Sequence, residues 1–313
     1  LMKKEIKNQS IYEKALSAII LQENGNTTKA KEYAQSLKQY TVMTEEMGRY
    51  YDTRRANYSW CDYKIPTEVA VIEALKNITP DDQTTINEML RWLLQEKRTQ
   101  TWDTPINSVN AVYAFLNGNI SVLAGQEQTA LAIDGKKLEI PTTTAGIGYV
   151  KTAVQPTSKM STLTATKTST GTSWGAVYAQ YMSNTSNISK SNSGIILDRE
   201  IISSGDLQVG DKVKVRLTIT SDRDYDFVQV IDKRAACMEP VNQLSGYHRG
   251  YYCTPKDCST NYYFDNLSKG KHVIETEYYI DRSGRYETGT CTVQCAYSPE
   301  YRATENSKTI VVK

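Results

Sequence analysis

The sequence predicts a multidomain α + β chain in which an array of helical hairpins is followed by antiparallel β-sandwich domains. Three observations lead there. Up to about residue 118, apolar side chains recur at helical spacing between capping and breaking signals. From Asn119 onward the periodicity shortens to the two-residue alternation of strands, punctuated by turn residues. The 313 residues suit two or three domains. Hydrophobic residues at 39% and charged residues at 23% supply real cores without the charge density of a disordered chain.

In the helical part, Tyr12, Ala15, Leu16, Ile19 and Ile20 fall on one helical face. Gly25-Asn26 breaks that pattern, and Thr27 is placed to cap a second helix carrying Ala30, Tyr33, Ala34 and Leu37. A third helix starts near Pro66 with Val69, Ile72 and Leu75. Thr79-Pro80-Asp81-Asp82 combines a capping hydroxyl, an early proline and first-turn acids, and announces a fourth with Ile86, Leu90 and Leu93. Thr104-Pro105 repeats the device before Val109, Val112, Tyr113 and Leu116. Five antiparallel helices with short turns resemble a helical-hairpin array. Five are few for a closed array, and the opening Leu1-Met2-Lys3-Lys4 runs directly into a polar helical pattern. The helical part is therefore expected to be a piece of a longer one.

In the β part, Asp134-Gly135 between Leu131-Ala132-Ile133 and Leu138-Glu139-Ile140 is a hairpin signal. Threonine-rich runs follow at Thr142–Thr144 and Thr162–Thr172, and Trp174 to Tyr178 reads as a buried strand. The polar stretch Ser183–Gly194 is expected as an interdomain linker. Beyond it, Val213, Val215, Leu217 and Ile219 alternate with Lys212, Lys214, Arg216 and Thr218, so one face is buried and the other wet. Phe227–Ile231 and Lys271–Ile280 give further strands. Cys291, Val293, Cys295 and Tyr297 share one face of another. Together these predict an antiparallel sandwich.

Composition narrows the function. A net charge of +2 gives no footprint for nucleic acid or an anionic membrane, and no run of 18 apolar residues is present to span a bilayer. There are only two histidines, His248 and His272, and neither stands at a recognised catalytic spacing from a cysteine or carboxylate. Glycine-rich phosphate loops and zincin motifs are missing as well. No catalytic, cofactor-binding or metal-binding residue is assigned.

Five of the six cysteines cluster late: Cys237, Cys253, Cys258, Cys291 and Cys295, with Cys61 apart. The pairs Cys253-x4-Cys258 and Cys291-x3-Cys295 are not the spacing of structural zinc sites. Residues four apart on a strand stand about 13 Å apart, too far for a disulfide, so Cys291 and Cys295 do not bond each other. Cys253 and Cys258 flank Thr-Pro-Lys-Asp and are candidates for a loop disulfide. Tyrosine is abundant, with 22 Tyr against 3 Phe, as half-wet sheet faces, carbohydrate-stacking surfaces or protein-binding faces require.

Several segments resemble bacterial alpha-2-macroglobulin-like proteins. They are Gly210-Asp211-Lys212-Val213-Lys214-Val215, Asp224-Tyr225-Asp226-Phe227-Val228-Gln229-Val230, and Asp232-Lys233-Arg234-Ala235-Ala236-Cys237-Met238-Glu239-Pro240-Val241 followed by Gln243-Leu244-Ser245-Gly246-Tyr247. Phe264-Asp265-Asn266-Leu267 with Lys269-Gly270, and Ala296-Tyr297-Ser298-Pro299-Glu300, continue the series in order. Glu96-Lys97-Arg98 leading to Trp102-Asp103-Thr104-Pro105-Ile106-Asn107-Ser108-Val109 looks like the end of that family's thioester-type helical toroid.

The resemblance implies a partial α/α-toroid over 1–118, CUB-like β strands over 119–182, a linker at 183–194 and a terminal macroglobulin-like sandwich over 195–313. It also implies a non-enzymatic part of a protease trap, an endopeptidase inhibitor located in the periplasm or cell envelope. Its partners would be proteases, met through the full-length protein, and any membrane contact would come from an upstream anchor. The family's Cys-x-Glu-Gln thioester motif does not occur: Cys237-Met238-Glu239-Pro240 has proline where the acyl-donating glutamine belongs.

The rival reading is a carbohydrate-active or carbohydrate-binding protein, because polysaccharide lyases also join a toroid to β-sandwiches. Its only cluster in the helical part is Tyr50, Tyr51, Arg54, Arg55, Asn57, Tyr58 and Trp60, which equally suits a loop between helices.

Overall fold

The computed structural model describes residues 5–52, 64–102, 104–117, 129–140, 151–155, 157, 160–168 and 175–313. The chain is a mixed α and β protein with several antiparallel sheets. It divides into two units, Leu1–Leu94 with Trp102–Tyr178, and Gln95–Thr101 with Ala179–Lys313. No helix among the described residues is long and apolar enough to cross a membrane.

The first unit holds α1 (Ile11–Glu23), α2 (Thr27–Gln39), α3 (Lys64–Ile78), the first turns of α4 (Gln83–Thr99) and α5 (Pro105–Leu116). α1 starts at a capping box: Ser10 Oγ accepts from Glu13 N, and Ser10 N donates to Glu13 Oε2. Asn26, not Thr27, caps α2, since its side chain accepts from Lys29 N. Asp82, not Thr79, caps α4 by accepting from Thr85 N, which leaves Pro80 in the preceding turn. Thr104 and Pro105 open α5 as expected.

The buried stripe of α2 is Ala30, Tyr33, Ala34 and Leu37, as predicted. α3 packs against α1, α2 and α5 and is buried on almost every side, from Ile65 to Ile78. The predicted faces of α1 and α5 are corrected. α1 buries Ala15, Ala18 and Leu21 while Ile20 is exposed, and α5 buries Asn107, Ala111 and Ala114 while Val109, Val112, Tyr113 and Leu116 are exposed. Alanine faces let helix backbones approach closely, and the larger side chains are left outside.

An unpredicted hairpin follows α2: β1 (Val42–Thr44) with β2 (Gly48–Tyr50). Gly48 has φ +84°, and a Cβ there would stand 2.3 Å from the Glu88 carbonyl oxygen of α4, so only glycine fits.

A three-stranded sheet comprises β3 (Ala130–Ile133), β4 (Lys136–Lys137) and β5 (Leu163–Thr166). Asp134 (φ +47°) and Gly135 (φ +80°) form its tight turn, in agreement with the Asp-Gly signal. Gly175–Tyr178, expected as strand, carries no regular structure, and Val177 and Tyr178 are exposed. Trp174, Thr142–Thr144 and Cys61 lie outside the described residues.

The second unit is dominated by a sandwich. Its strands are β6 (Ser191–Ser193), β7 (Ile195–Ile202), β8 (Lys212–Ser221), β9 (Tyr225–Lys233), β10 (Met238–Pro240), β11 (Gly246–His248), β12 (Tyr251–Pro255), β13 (Ser259–Leu267), β14 (Gly270–Ile280), β15 (Gly284–Glu287), β16 (Cys291–Cys295), β17 (Arg302–Glu305) and β18 (Thr309–Val312). Hydrogen bonds run continuously through the order β10-β14-β8-β7-β6-β17-β16-β9-β13-β12-β11. The ribbon folds over at Gly194, where Ser193 pairs with Ile195, and makes two layers. β15 pairs separately with β18. The end of the stretch expected as linker is thus strand β6, paired with β17.

Inward positions of both layers form one core: Leu197, Val213, Val215, Leu217 and Ile219 from one, Val228, Val230, Phe264 and Val293 from the other. Each such side chain stabilises by about 1.5–3 kcal/mol when fully buried. Cys291, Val293 and Cys295 point inward as predicted, but the strand ends there and Tyr297 is exposed.

Candidate functional site

Among the described residues, a fully buried ion pair lies inside the sandwich. Strand alternation turns Arg199 of β7 and Asp232 of β9 inward from opposite layers. Arg199 Nε stands 2.9 Å from Asp232 Oδ1, and neither side chain has exposed surface. The remaining guanidinium donors are used: Nη1 donates to Thr288 Oγ1 (2.9 Å) and to the Gly289 carbonyl (3.0 Å), and Nη2 to the Lys233 carbonyl (2.5 Å). Cys291 stands directly across from Asp232 in the β16–β9 register. Among the described residues, neither carboxyl oxygen has a hydrogen-bond donor beyond its ion pair with Arg199. Burial pushes the Asp232 carboxyl up to about 6, against the opposing pull of Arg199, and burial also raises the Cys291 thiol well above its usual range.

Removing either partner would leave an uncompensated charge in the core, so the pair holds both strands in place. The site therefore acts as a cross-tie between the layers. A thiol sealed from solvent and held protonated is a poor nucleophile, and no substrate has a route to it.

Neighbouring residues brace the same fold. Arg234 donates to the Met238, Lys256 and Asp257 carbonyls, and so pins the chain leading into β10 to the β12–β13 turn. Thr260 and Tyr278 (2.8 Å) and Tyr262 and Thr276 (2.6 Å) add two further hydroxyl ties between layers. At the fold-over point, Tyr225 donates to Asp222 Oδ1 (2.7 Å), and Arg223 lies over the Tyr225 and Tyr301 rings. A Cβ on Gly194 (φ +70°) would stand 2.5 Å from the Tyr225 hydroxyl and 2.8 Å from Tyr301.

The structure disperses the remaining sequence candidates. His248 stacks on Tyr251 in the β11–β12 hairpin, whereas His272 Nε2 contacts the Ser268 carbonyl beside β14. Cys253 is opposite Tyr262, and Cys258 sits in the turn that joins β12 to β13. In the structure the two stand as separate thiols. The turn begins three residues past Cys253, about 10 Å along the strand. Cys237 is buried, so its partial likeness to a thioester motif has no exposed sulfur.

Of the rival cluster in the helical part, Tyr51 is buried with its hydroxyl on the Leu37 carbonyl, and Tyr50 stacks on Trp92. Arg54, Arg55, Asn57, Tyr58 and Trp60 lie outside the described residues. Sequence reading missed the Arg199–Asp232 pair. The one available signal was an arginine and an aspartate at positions whose strand alternation demands apolar residues.

Residues 179–300 match the family model described as the bacterial alpha-2-macroglobulin MG10 domain. No curated protein matches the chain. Among solved structures it is similar to trypsin-activated alpha-2-macroglobulin from Escherichia coli, at 12% identity over 97% of this chain and 21% of that one, with TM-score 0.43. It is similar to the Escherichia coli protein activated by porcine elastase, at 13% identity over 97% and 28%, with TM-score 0.43. It is also similar to Salmonella alpha-2-macroglobulin reacted with methylamine, at 16% identity over 97% and 20%, with TM-score 0.36. The chain spans between 20% and 28% of the length of these three proteins.

Proposed function

We infer that this chain, whose residues 179–300 match the model of the bacterial alpha-2-macroglobulin MG10 domain, is the carboxyl-side part of an alpha-2-macroglobulin-like protease trap. In this reading residues 1–118 are a partial α/α-toroid, 119–182 CUB-like strands, 183–190 the connection, and the terminal macroglobulin-like sandwich runs from strand β6 at Ser191 to residue 313. Its role is scaffolding rather than catalysis. The full-length protein entraps an endopeptidase after the protease cuts a bait segment, in the periplasm or at the cell envelope. The domains described here are bodies that reposition around the captured enzyme.

The observation that carries the reading is the coincidence of the MG10 match with the sandwich closed by Arg199 and Asp232. A domain displaced as a rigid body needs layers that do not shear, and cross-layer ties of charge and hydroxyl groups supply that resistance. The test uses the full-length protein and trypsin. After limited cleavage, trypsin is expected to keep its activity on a small chromogenic peptide and to lose activity on casein. Equal retention, or equal loss, on both substrates contradicts the trap.

A further inference from the structure

Apolar packing holds the last strand, β18, only lightly. It pairs with β15 in a two-stranded ladder, and Val312 adds a parallel bridge to Leu207. Of its residues Ile310 and Val312 are buried, whereas β8 buries Val213, Val215, Leu217, Ile219 and Ser221.

Polar contacts at the entrance of the strand make up the difference, and they converge on one buried side chain. The Thr288 hydroxyl accepts from Lys308 N at 2.9 Å and from Arg199 Nη1 at 2.9 Å, and it donates to the Gly289 carbonyl at 3.0 Å. A hydroxyl offers one proton and two lone pairs, so this one is saturated. Thr288 N donates to the Lys308 carbonyl at 2.9 Å, Gly289 N donates to Ser307 Oγ at 3.1 Å, and Lys308 Nζ donates to the Arg199 carbonyl. Ser307 and Lys308 are thus tied to the same corner that receives the Arg199 guanidinium. That corner is close-packed: Gly289 has φ +74°, and a Cβ there would stand 2.8 Å from Lys233 Cβ. Outside it, Glu287 accepts from Ser307 Oγ (2.7 Å) and Thr309 Oγ1 (2.6 Å) in exposed bonds. Water competes with those bonds and not with the buried node, so the node decides how firmly the strand is held.

We propose that residues 307–313 are a detachable strap latched by the buried ion pair. Asp232 holds the Arg199 guanidinium in the core, the guanidinium holds Thr288, and Thr288 holds Lys308. Without its carboxylate partner the guanidinium is an uncompensated buried charge, drawn toward water and away from Thr288. Without the strap the Thr288–Gly289 corner is open to solvent and the pair hydrates. Strap and pair therefore open together, as a unit smaller than the sandwich, and each strengthens the other to the same degree. This inference concerns the sandwich alone and stands whether or not the full-length protein traps proteases.

The test is native-state hydrogen exchange of the 313-residue chain, read by mass spectrometry on peptides covering 307–313 and β8. In the wild type the strap is expected to exchange faster than β8, through an opening of its own. Thr288→Val, which removes the hydroxyl, is expected to speed strap exchange about tenfold. Asp232→Asn alters a residue of β9, outside the strap, and is expected to speed it comparably. The double variant is expected to exchange no faster than the faster single one, because both act on one latch. Arg216→Ala, which breaks an exposed pair with Glu275 on the outward face, is expected to leave the strap rate unchanged. In the reverse direction, deletion of 307–313 is expected to speed alkylation of Cys291, opposite Asp232, while Cys295 at the far end of β16 stays protected. Near-ultraviolet circular dichroism verifies the fold of each variant, and Asp232→Asn and the deletion test the latch separately from Thr288→Val. Equal strap and β8 rates in the wild type, a wild-type strap rate in Asp232→Asn, or equal alkylation of Cys291 and Cys295 after the deletion overturns the proposal.

Discussion

Arg199 and Asp232 come from opposite layers of the sandwich and meet at 2.9 Å with no exposed surface on either. Removing one partner strands the other charge in the core. Arg199→Ala and Asp232→Ala are each expected to cost about 3–5 kcal/mol. Replacing both with apolar residues of similar volume is expected to cost less than either single change. Urea unfolding of the three variants measures this, and additive losses in the double variant contradict it.

The same carboxyl gives a pH signature. Its folded value is about 6, above the ordinary unfolded value of about 3.9. The folded state therefore binds this proton more tightly. Its stabilising contribution is full below about pH 4 and is lost as pH rises through 6. Wild-type stability is expected to fall across that window by an increment that Asp232→Asn abolishes. Parallel curves for the two proteins in urea titrations from pH 4 to pH 7 contradict the assignment.

Glycine positions separate backbone strain from steric exclusion. Gly25 (φ +78°) faces open space, so Gly25→Ala is expected to cost only the left-handed penalty of about 1 kcal/mol. Gly48→Ala drives a Cβ into the Glu88 carbonyl, and Gly194→Ala drives one into Tyr225 and Tyr301. Both are expected to lose several degrees more in Tm than Gly25→Ala. Equal shifts for all three contradict the packing described.

Thiol accessibility reads the sandwich directly. Cys258 is exposed and Cys253 half-buried, whereas Cys237, Cys291 and Cys295 are buried. Without reductant, alkylation followed by peptide mapping is expected to label Cys258 first and the buried three only after denaturation. Protection of Cys258 together with a mass two hydrogens lower would place a disulfide there instead.

Much of the fold was legible because it rests on local rules. The Asp134-Gly135 turn, the Thr104-Pro105 helix start, the α2 stripe and the alternation from Lys212 to Ile219 are each decided by residues next to one another in sequence. What failed depends on distant partners. α1 and α5 bury alanines because α3 packs closely against both, and no periodicity of large apolar residues reveals that. Val177 and Tyr178 look like strand yet lie outside regular structure. The Arg199–Asp232 tie exists only once the fold sets β7 against β9 in one core. The β1–β2 hairpin was equally hidden, since its only mark is Gly48 beneath Glu88.

The most direct measurement is sedimentation velocity of the full-length protein before and after limited trypsin cleavage, with the trypsin fluorescently labelled. A trap moves to a faster, more compact boundary that carries the label. An unchanged boundary with free label contradicts it.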